Sequence, residues 1–406
     1  MATKKPSLYF LTTELPWPAT SGGRIKTYRL LKFLSQHYDV RLACAHGAND
    51  RNTLTELREA SGIASVQVFG ELRSRNALNW FMAIAQFPTL NCYRVYSKKM
   101  ESVMRWGIEQ AEVTIVDHLE MMEMIPENLI SKVIYHSHNA EFRLWADYAK
   151  IETNPIKKWV LDWEADRVKI FERWAIKRTA FTFAAPNDQA SIMDANKLDA
   201  NKFRLTYHLG DESLLEKPTI DLKGNKPRVL FMGTLSWMPN KDGINWYIDH
   251  VWPQVVSKMP SAELIICGKG ADSNLVNKAA NTKGVSYLGF VEDLNAVMET
   301  CKAAIIPLRF GSGMKIKTLD AMYRGLPVLS SNVGIDGLDV EHDNHALICQ
   351  NDEEWVQQTI SVLNEESKMQ AMADRARALV RDKYVYPQIF RSMLGDMQQT
   401  FPSDVS

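Results

Sequence analysis

The sequence predicts an α/β protein made of two doubly wound domains, on three observations. Short apolar runs alternate with amphipathic helical patterns, as expected of parallel sheets covered by helices on both faces. The alternation stops at one polar stretch and then restarts. The 406 residues exceed one ordinary hydrophobic core, which agrees with two.

The first series opens with residues 7–12 (SLYFLT), a strand. Residues 25–37 follow as a helix, with Ile25, Leu30, Leu31 and Leu34 near one face. Residues 40–45, 66–69, 113–116, 133–135 and 181–184 read as further strands. The break is DESLLEKPTIDLKGNKP, residues 211–227, whose two prolines, glycine and charges read as a linker. The second series has strands at 228–232, 262–267, 285–287, 303–307 and 328–330. Its helices are expected at 245–256, with Pro253 as a bend or end, and at 314–324, stopped by Gly325. The expected domains are therefore 1–210 and 228–383, joined by the linker, with 384–406 as a closing segment. Ligands of such domains bind beyond the carboxyl ends of the strands, and two facing domains would place theirs in the cleft between them.

Two regions are less regular. Residues 141–180 contain the mixed-charge run LDWEADRVKIFERWAIKRTA, which reads as a long solvated helix that packs one face. Residues 71–110 hold Trp80, Phe81, Phe87 and Tyr93, which could be core, an acceptor wall or a membrane-surface patch; core is the plainer reading.

Composition narrows the function. Hydrophobic residues at 46% and charged ones at 24% are ordinary for a soluble enzyme. The 48 basic residues match the 48 acidic ones, whereas general nucleic-acid binders more often carry a basic excess, so no nucleic-acid partner is expected. The five cysteines are scattered without metal-ligand spacing and read as reduced cytosolic thiols. The N-terminus reads as a first strand, not a signal peptide, and no apolar run reaches membrane-spanning length. A cytoplasmic location follows, with peripheral contact at the inner face of the cell membrane left open.

The stretch FGSGMKIKTLDAMYRGLPVLSS, residues 310–331, raises the chemistry. A strand leads into Gly311, Ser312 and Gly313, and a helix begins near Met314. A glycine loop at a helix N-terminus presents free N–H groups and the positive end of the dipole to an anion. Lys315 and Lys317 add positive charge in the first turn, where it opposes the dipole unless an anion is bound. A plain strand–loop–helix joint with exposed lysines is the alternative. Gly268 and Gly270 (CGKG) follow another strand end, suited to a close nucleotide approach or to a tight turn alone.

The run GSGMKIKTLDAMYRGLPVLSSNVGIDGL, residues 311–338, resembles the C-terminal signature of family 4 glycosyltransferases, the group 1 glycosyl transferases. Asp320 stands at the second acid of that signature, and Ser312 replaces the first. GTLSWMPNKDGINWYIDHVWP (233–253) is similar to the opening of the family's C-terminal domain, and YLGFVEDL (287–294) to its nucleobase loop. SGGR (21–24) resembles the N-terminal glycine loop, and HSHNAEF (136–142) a strand-end histidine segment.

The resemblance implies the two-Rossmann GT-B architecture and transfer of a sugar from a nucleoside-diphosphate sugar to a glycan or lipid-linked acceptor. It implies retention of anomeric configuration, no metal, and no cofactor besides the donor, which is the substrate. The work would be in cell-surface polysaccharide synthesis. Lys315, Lys317 and the amides near Gly311, Gly313 and Met314 would hold the phosphates. Gly233, Gly268 and Val291 would line the nucleotide, and Lys241 would take the place of the family's strand-end lysine, or else be a solvated loop lysine. Asp320 would bind ribose hydroxyls, or else pair with Arg324 four residues on. His138 is the first catalytic candidate, then His118, then His136. Asp117 is an acceptor-side base or an ordinary strand-end carboxylate, and Glu141 a cleft-lining acid. Gly22, Gly23 and Arg24 would meet donor phosphate or an anionic acceptor. The closing segment, with Tyr386, Pro387 and Phe390, would return to the N-terminal domain. The competing functions are a GT-B protein that binds without turnover, suggested by Ser312, and a nucleotide-sugar epimerase.

Overall fold

The computed structural model describes residues 5–19, 22–70, 72–74, 76–311 and 313–402. Its strands are β1 (Ser7–Glu14), β2 (Asp39–His46), β3 (Ser65–Gly70), β4 (Val113–Val116), β5 (Val133–His136), β6 (Phe181–Ala184), β7 (Phe203–Leu205), β8 (Arg228–Met232), β9 (Glu263–Cys267), β10 (Val285–Gly289), β11 (Ala303–Ile306), β12 (Val328–Ser330) and β13 (Leu347–Ile348). The helices are α1 (Gly22–Leu34), α2 (Arg51–Ser61), α3 (Ala77–Gln86), α4 (Leu90–Val95), α5 (Lys98–Gln110), α6 (Glu141–Ile151), α7 (Pro155–Arg178), α8 (Pro186–Asn196), α9 (Met238–Trp246), α10 (Trp252–Lys258), α11 (Ser273–Asn281), α12 (Leu294–Met298), α13 (Ile316–Arg324), α14 (Asp352–Asn364), α15 (Glu366–Lys383) and α16 (Tyr386–Thr400).

The chain divides into two compact units. One runs to His208 and takes in the residues from Tyr386 onward; the other is Leu209–Val385. The first holds a seven-stranded parallel sheet in the order β3-β2-β1-β4-β5-β6-β7. The second holds a six-stranded parallel sheet in the order β10-β9-β8-β11-β12-β13. In each, the chain winds outward from the middle strand and then reverses, at β1/β4 and at β8/β11. Such reversals part the connecting loops and open a ligand crevice at the carboxyl ends.

The apolar runs are legible because helices cover both faces. β4, β5 and β6 are buried at every residue, so their sequences carry no polar alternation. Phe10 in β1 is fully buried, and truncating it to alanine would cost about 3–5 kcal/mol. α16 packs onto its unit through Phe390, whose ring meets Phe33 of α1 at 5.6 Å.

Several boundaries differ from expectation. Residues 211–227 do not stand apart as a linker: Ile220 and Leu222 are buried in the second unit. The helix expected at 245–256 starts earlier, at Met238, and passes through a π-turn (Tyr247–Val251) before α10. Pro253 lies in the first turn of α10, where its missing N–H is not needed. α13 begins at Ile316 with Lys315 at its N-cap, and Gly325 ends it in the left-handed region at φ 73°. All five cysteines are buried thiols. The core reading of residues 71–110 fails at Phe81, whose side chain is exposed, while Trp80, Phe87 and Tyr93 are half-buried. No helix among the described residues is long and apolar enough to cross a membrane.

Candidate active site

In the second unit the loops after β8, β9 and β10 form a cavity of about 200 Å³. It is lined by Gly233, Thr234, Gly268, Lys269, Phe290 and Val291 among others. Two glycines shape it. Gly233 and Gly268 have φ of 154° and 150°, and a Cβ on Gly268 would lie 1.8 Å from the Gly233 carbonyl oxygen. Only glycine lets these backbones touch. Phe290 is 70% exposed at the cavity wall, so its ring face is available to a planar ligand. Phe290, the aromatic residue after Gly289, was not expected here and stands beside the expected Val291.

The N-terminus of α13 adds the charge. The Lys315 side chain is buried, and its ammonium donates to the Gly313 carbonyl oxygen. Lys317, partly buried, donates from Nζ to Asn240 Oδ1 at 2.5 Å, with Nζ 4.7 Å from the centre of the Phe231 ring. Burial, helped by the Lys315 charge, lowers the Lys317 pKa to about 7. Asn240 is fixed by its own bond from Nδ2 to the Thr234 carbonyl oxygen at 2.9 Å. It lies in the motif WMPN but is not among the residues expected at the site. Neither lysine is the exposed loop lysine of the plainer reading.

Other expected residues are placed as follows. Gly311 (φ 130°) and Gly313 (φ 74°) both adopt left-handed backbone, and Met314 is buried. Ser312 and Ser21 lie outside the described residues. Lys241 is not directed at the cavity: it pairs with Asp272 at 2.5 Å, the N-cap of α11. Asp320 does not take Arg324 as its partner. Its Oδ1 accepts the Asp211 N–H at 2.7 Å, and Arg324 pairs with Glu299 at 2.5 Å. A larger cavity of about 400 Å³, lined by Trp246, Arg309, Asn332 and Gln350 among others, opens beyond β11–β13 away from these lysines.

In the first unit the crevice between β1 and β4 holds a buried cluster around Asp117. Its Oδ1 takes His136 Nδ1 at 2.5 Å and His138 Nε2 at 2.9 Å, and its Oδ2 accepts from Thr27 Oγ1 at 2.7 Å. Burial pushes the carboxyl pKa up, but the His138 charge and the two histidine bonds outweigh it and hold it well below the usual range. Burial and the Lys26 charge bring His136 down to about 3, so His136 is neutral and donates its Nδ1–H. His118 stacks flat on His138, with ring centres 4.5 Å apart. Burial, and then the His138 charge, lowers its pKa. The three candidate histidines are thus brought together. Asp117 is fully buried, which removes it as a base that touches acceptor and makes it the group that orients His138.

Lys26 is buried beside this cluster, and its Nζ has no hydrogen-bond partner among the described residues. Burial lowers its pKa to about 8 against the pull of Asp117 and Asp188. The loop carrying His138 is pinned from below: Asp188 Oδ1 accepts the Ala140 N–H at 3.0 Å, and Glu172 Oε1 the Glu141 N–H at 3.1 Å. Burial raises the Glu141 pKa to about 8 and pushes that of Glu172 well above the usual carboxylate range. Asp117, His136 and His138 each offer one potential metal-ligand atom within 4.8 Å of the others. Their contacts are hydrogen bonds onto one carboxylate oxygen, and a cation there would have to displace the His136 proton. Gly22 and Gly23 form the first turn of α1, and a side chain at Gly23 would meet nothing within 4 Å. The expected charge beside them is engaged, since Arg24 pairs with Glu14 at 2.9 Å.

Comparison with known proteins extends these observations. Residues 226–365 match the family model described as glycosyl transferases group 1. A Klebsiella pneumoniae protein described as an uncharacterized 44.6 kDa protein in the cps region is 22% identical over 398 residues, covering 95% of this chain and 98% of the relative. The structure of Anabaena HepE in complex with UDP and glucose is 13% identical, with a TM-score of 0.65 over 97% of this chain and 100% of that one. WaaG, a glycosyltransferase involved in lipopolysaccharide biosynthesis, is 14% identical, with a TM-score of 0.64 over 98% of this chain and 100% of that one. Residues 226–365 of the second unit thus match the model of the group 1 glycosyl transferases, and the chain has the GT-B fold.

Proposed function

We propose that the chain transfers a sugar from a nucleoside-diphosphate sugar to a hydroxyl of a glycan or lipid-linked acceptor, with retention and without a metal. The observation that carries this reading is Lys317. Its ammonium is held against an amide oxygen and a phenyl ring, with a pKa of about 7, at the N-terminus of a helix. A diphosphate placed there would restore the full charge and use the helix dipole as well.

The roles then follow from position. The base lies against Phe290 and Val291, and the diphosphate meets Lys315, Lys317 and the amides near Gly313. A ribose hydroxyl donates to Asp320, whose carboxylate can accept more than the Asp211 bond. As the sugar–phosphate bond breaks, charge builds on the phosphate, and fixed cations stabilise it without reorganising. That is the task a divalent metal would otherwise perform. Retention requires the acceptor oxygen to arrive on the face the phosphate leaves, so a phosphate oxygen can take its proton. No protein base is then needed, in keeping with the buried Asp117. Within the first unit, Asp117 orients His138, the first catalytic candidate, with His118 behind its ring.

The match to the group 1 model, the HepE complex with UDP and glucose, and the cps-region relative support cell-surface polysaccharide synthesis from a uridine donor. Ser312, in place of the expected acid, supports a second reading, a nucleotide-binding protein without turnover. The test is incubation with UDP-sugars and membrane or glycan acceptors, reading UDP release and the product's anomeric coupling by NMR. Acceptor-dependent release that survives chelation, with an α product from an α donor, is expected. An inverted anomer, or loss of activity on chelation, would overturn the corresponding part. Binding without turnover for every donor and acceptor would favour the second reading.

A further inference from the structure

One surface of the first unit is more apolar than solvent exposure requires. α3 has no charged residue in its 10 positions. Trp80 meets the edge of Trp145 in α6, with ring centres 6.2 Å apart. Arg167 of α7 donates to the carbonyl oxygens of Ala83 and Phe87 at 3.1 and 2.6 Å. Those contacts use one side of the helix. The other side shows Leu78, Phe81 and Ile84 to solvent, Phe81 at 67% exposure. A helix apolar on both sides belongs against a second apolar phase.

The adjoining α6–α7 hairpin carries exposed apolar residues of its own. Around its turn Tyr148, Ile156 and Trp159 are exposed, Ile156 at 73% and Trp159 at 67%. Lys150, Lys157 and Lys158 stand beside them, also exposed. The acids on these elements are engaged or set back. Asp147 pairs with Lys150 at 2.8 Å, Glu152 accepts the Asn154 N–H at 2.9 Å, and Asp162 and Asp166 lie further along α7.

We propose that this surface docks the chain on an anionic lipid bilayer. Phe81, Ile156 and Trp159 lie at the boundary between headgroups and acyl chains, and Lys157 and Lys158 reach headgroup phosphates. Exposed tryptophan and tyrosine suit that boundary, with an apolar body and a polar edge. Charge favours a bilayer over a second copy of the chain. A two-fold contact through the turn would set Lys157 and Lys158 near their own counterparts, whereas anionic headgroups complement them. The docking stands apart from the catalytic reading; only the idea that the acceptor comes from the same bilayer rests on it.

The test is sedimentation of the full chain with vesicles of phosphatidylcholine alone, and of phosphatidylcholine with phosphatidylglycerol. Binding to the phosphatidylglycerol vesicles, weakened by salt, is expected. It should weaken about tenfold or more in Phe81→Ser/Trp159→Ser and in Lys157→Glu/Lys158→Glu. Unchanged circular dichroism and melting would show that both variants fold. Absence of vesicle binding by the wild type, or equal binding by the folded variants, would overturn the proposal. So would a dimer in sedimentation velocity that Phe81→Ser/Trp159→Ser abolishes, without vesicle binding, which would assign the surface to a second copy.

Discussion

The two units bury charge in opposite ways. In the first, the Asp117 carboxylate is surrounded by its own donors, His136, His138 and Thr27, and the Lys26 cation lies close by. In the second, Lys317 has an amide oxygen and an aromatic face. The first arrangement is closed: each charge has a counter-charge or a hydrogen bond inside the fold. The second is open and gains most when an anion arrives. A closed cluster positions a side chain, here His138, while an open one binds a ligand.

The largest expected effect breaks the closed cluster. Asp117→Asn keeps the shape but removes the charge that balances Lys26, and stability should fall by about 3–5 kcal/mol in urea unfolding. A loss under about 1 kcal/mol would place the cluster with solvated pairs and remove half of the contrast.

The next prediction concerns pH. Binding a diphosphate raises the Lys317 pKa, so above its free value of about 7 binding must take up a proton. Affinity should be full below that pH and fall by up to about tenfold per pH unit above it. Phosphate's own second ionisation, near pH 6, lies below the window. Calorimetric titrations across the range would show it, and Lys317→Arg should flatten the profile. A flat wild-type profile would mean that Lys317 does not face the phosphate.

Phe290→Ala should weaken nucleotide binding by about 1 kcal/mol, roughly fivefold, through lost ring contact. It should leave free phosphate binding unchanged, which separates the base wall from the charge site. The smallest effect sharpens the comparison most. Lys317→Met should leave stability unchanged or slightly raised, because the partly buried cation it removes has no carboxylate partner among the described residues.

Much of the fold was legible because parallel strands buried on both faces write continuous apolar runs; 113–116, 181–184 and 228–232 were read to the residue. β7 and β13 were not: of β7 only Phe203 is buried, and β13 has two residues, so neither writes an apolar run. The α9–α10 region was misplaced because Pro253 looks like a helix end when it starts the second segment. Within the site, the glycines and the lysines of α13 were visible as types at spacings. Their partners were not, because pairs such as Lys317–Asn240 and Lys241–Asp272 lie far apart in the chain and meet only when it folds. Phe81 was assigned to the core because an uncharged, aromatic helix looks the same whether protein or another apolar phase covers it.

The most direct test is a calorimetric titration of UDP, and in parallel GDP, ADP and dTDP, into the wild type and Lys317→Met near pH 7. The open-site account predicts that one nucleotide binds the wild type and that Lys317→Met, with an unchanged melting temperature, binds it about 10–100-fold more weakly, the worth of a charged hydrogen bond. Equal affinity in the folded variant would contradict it.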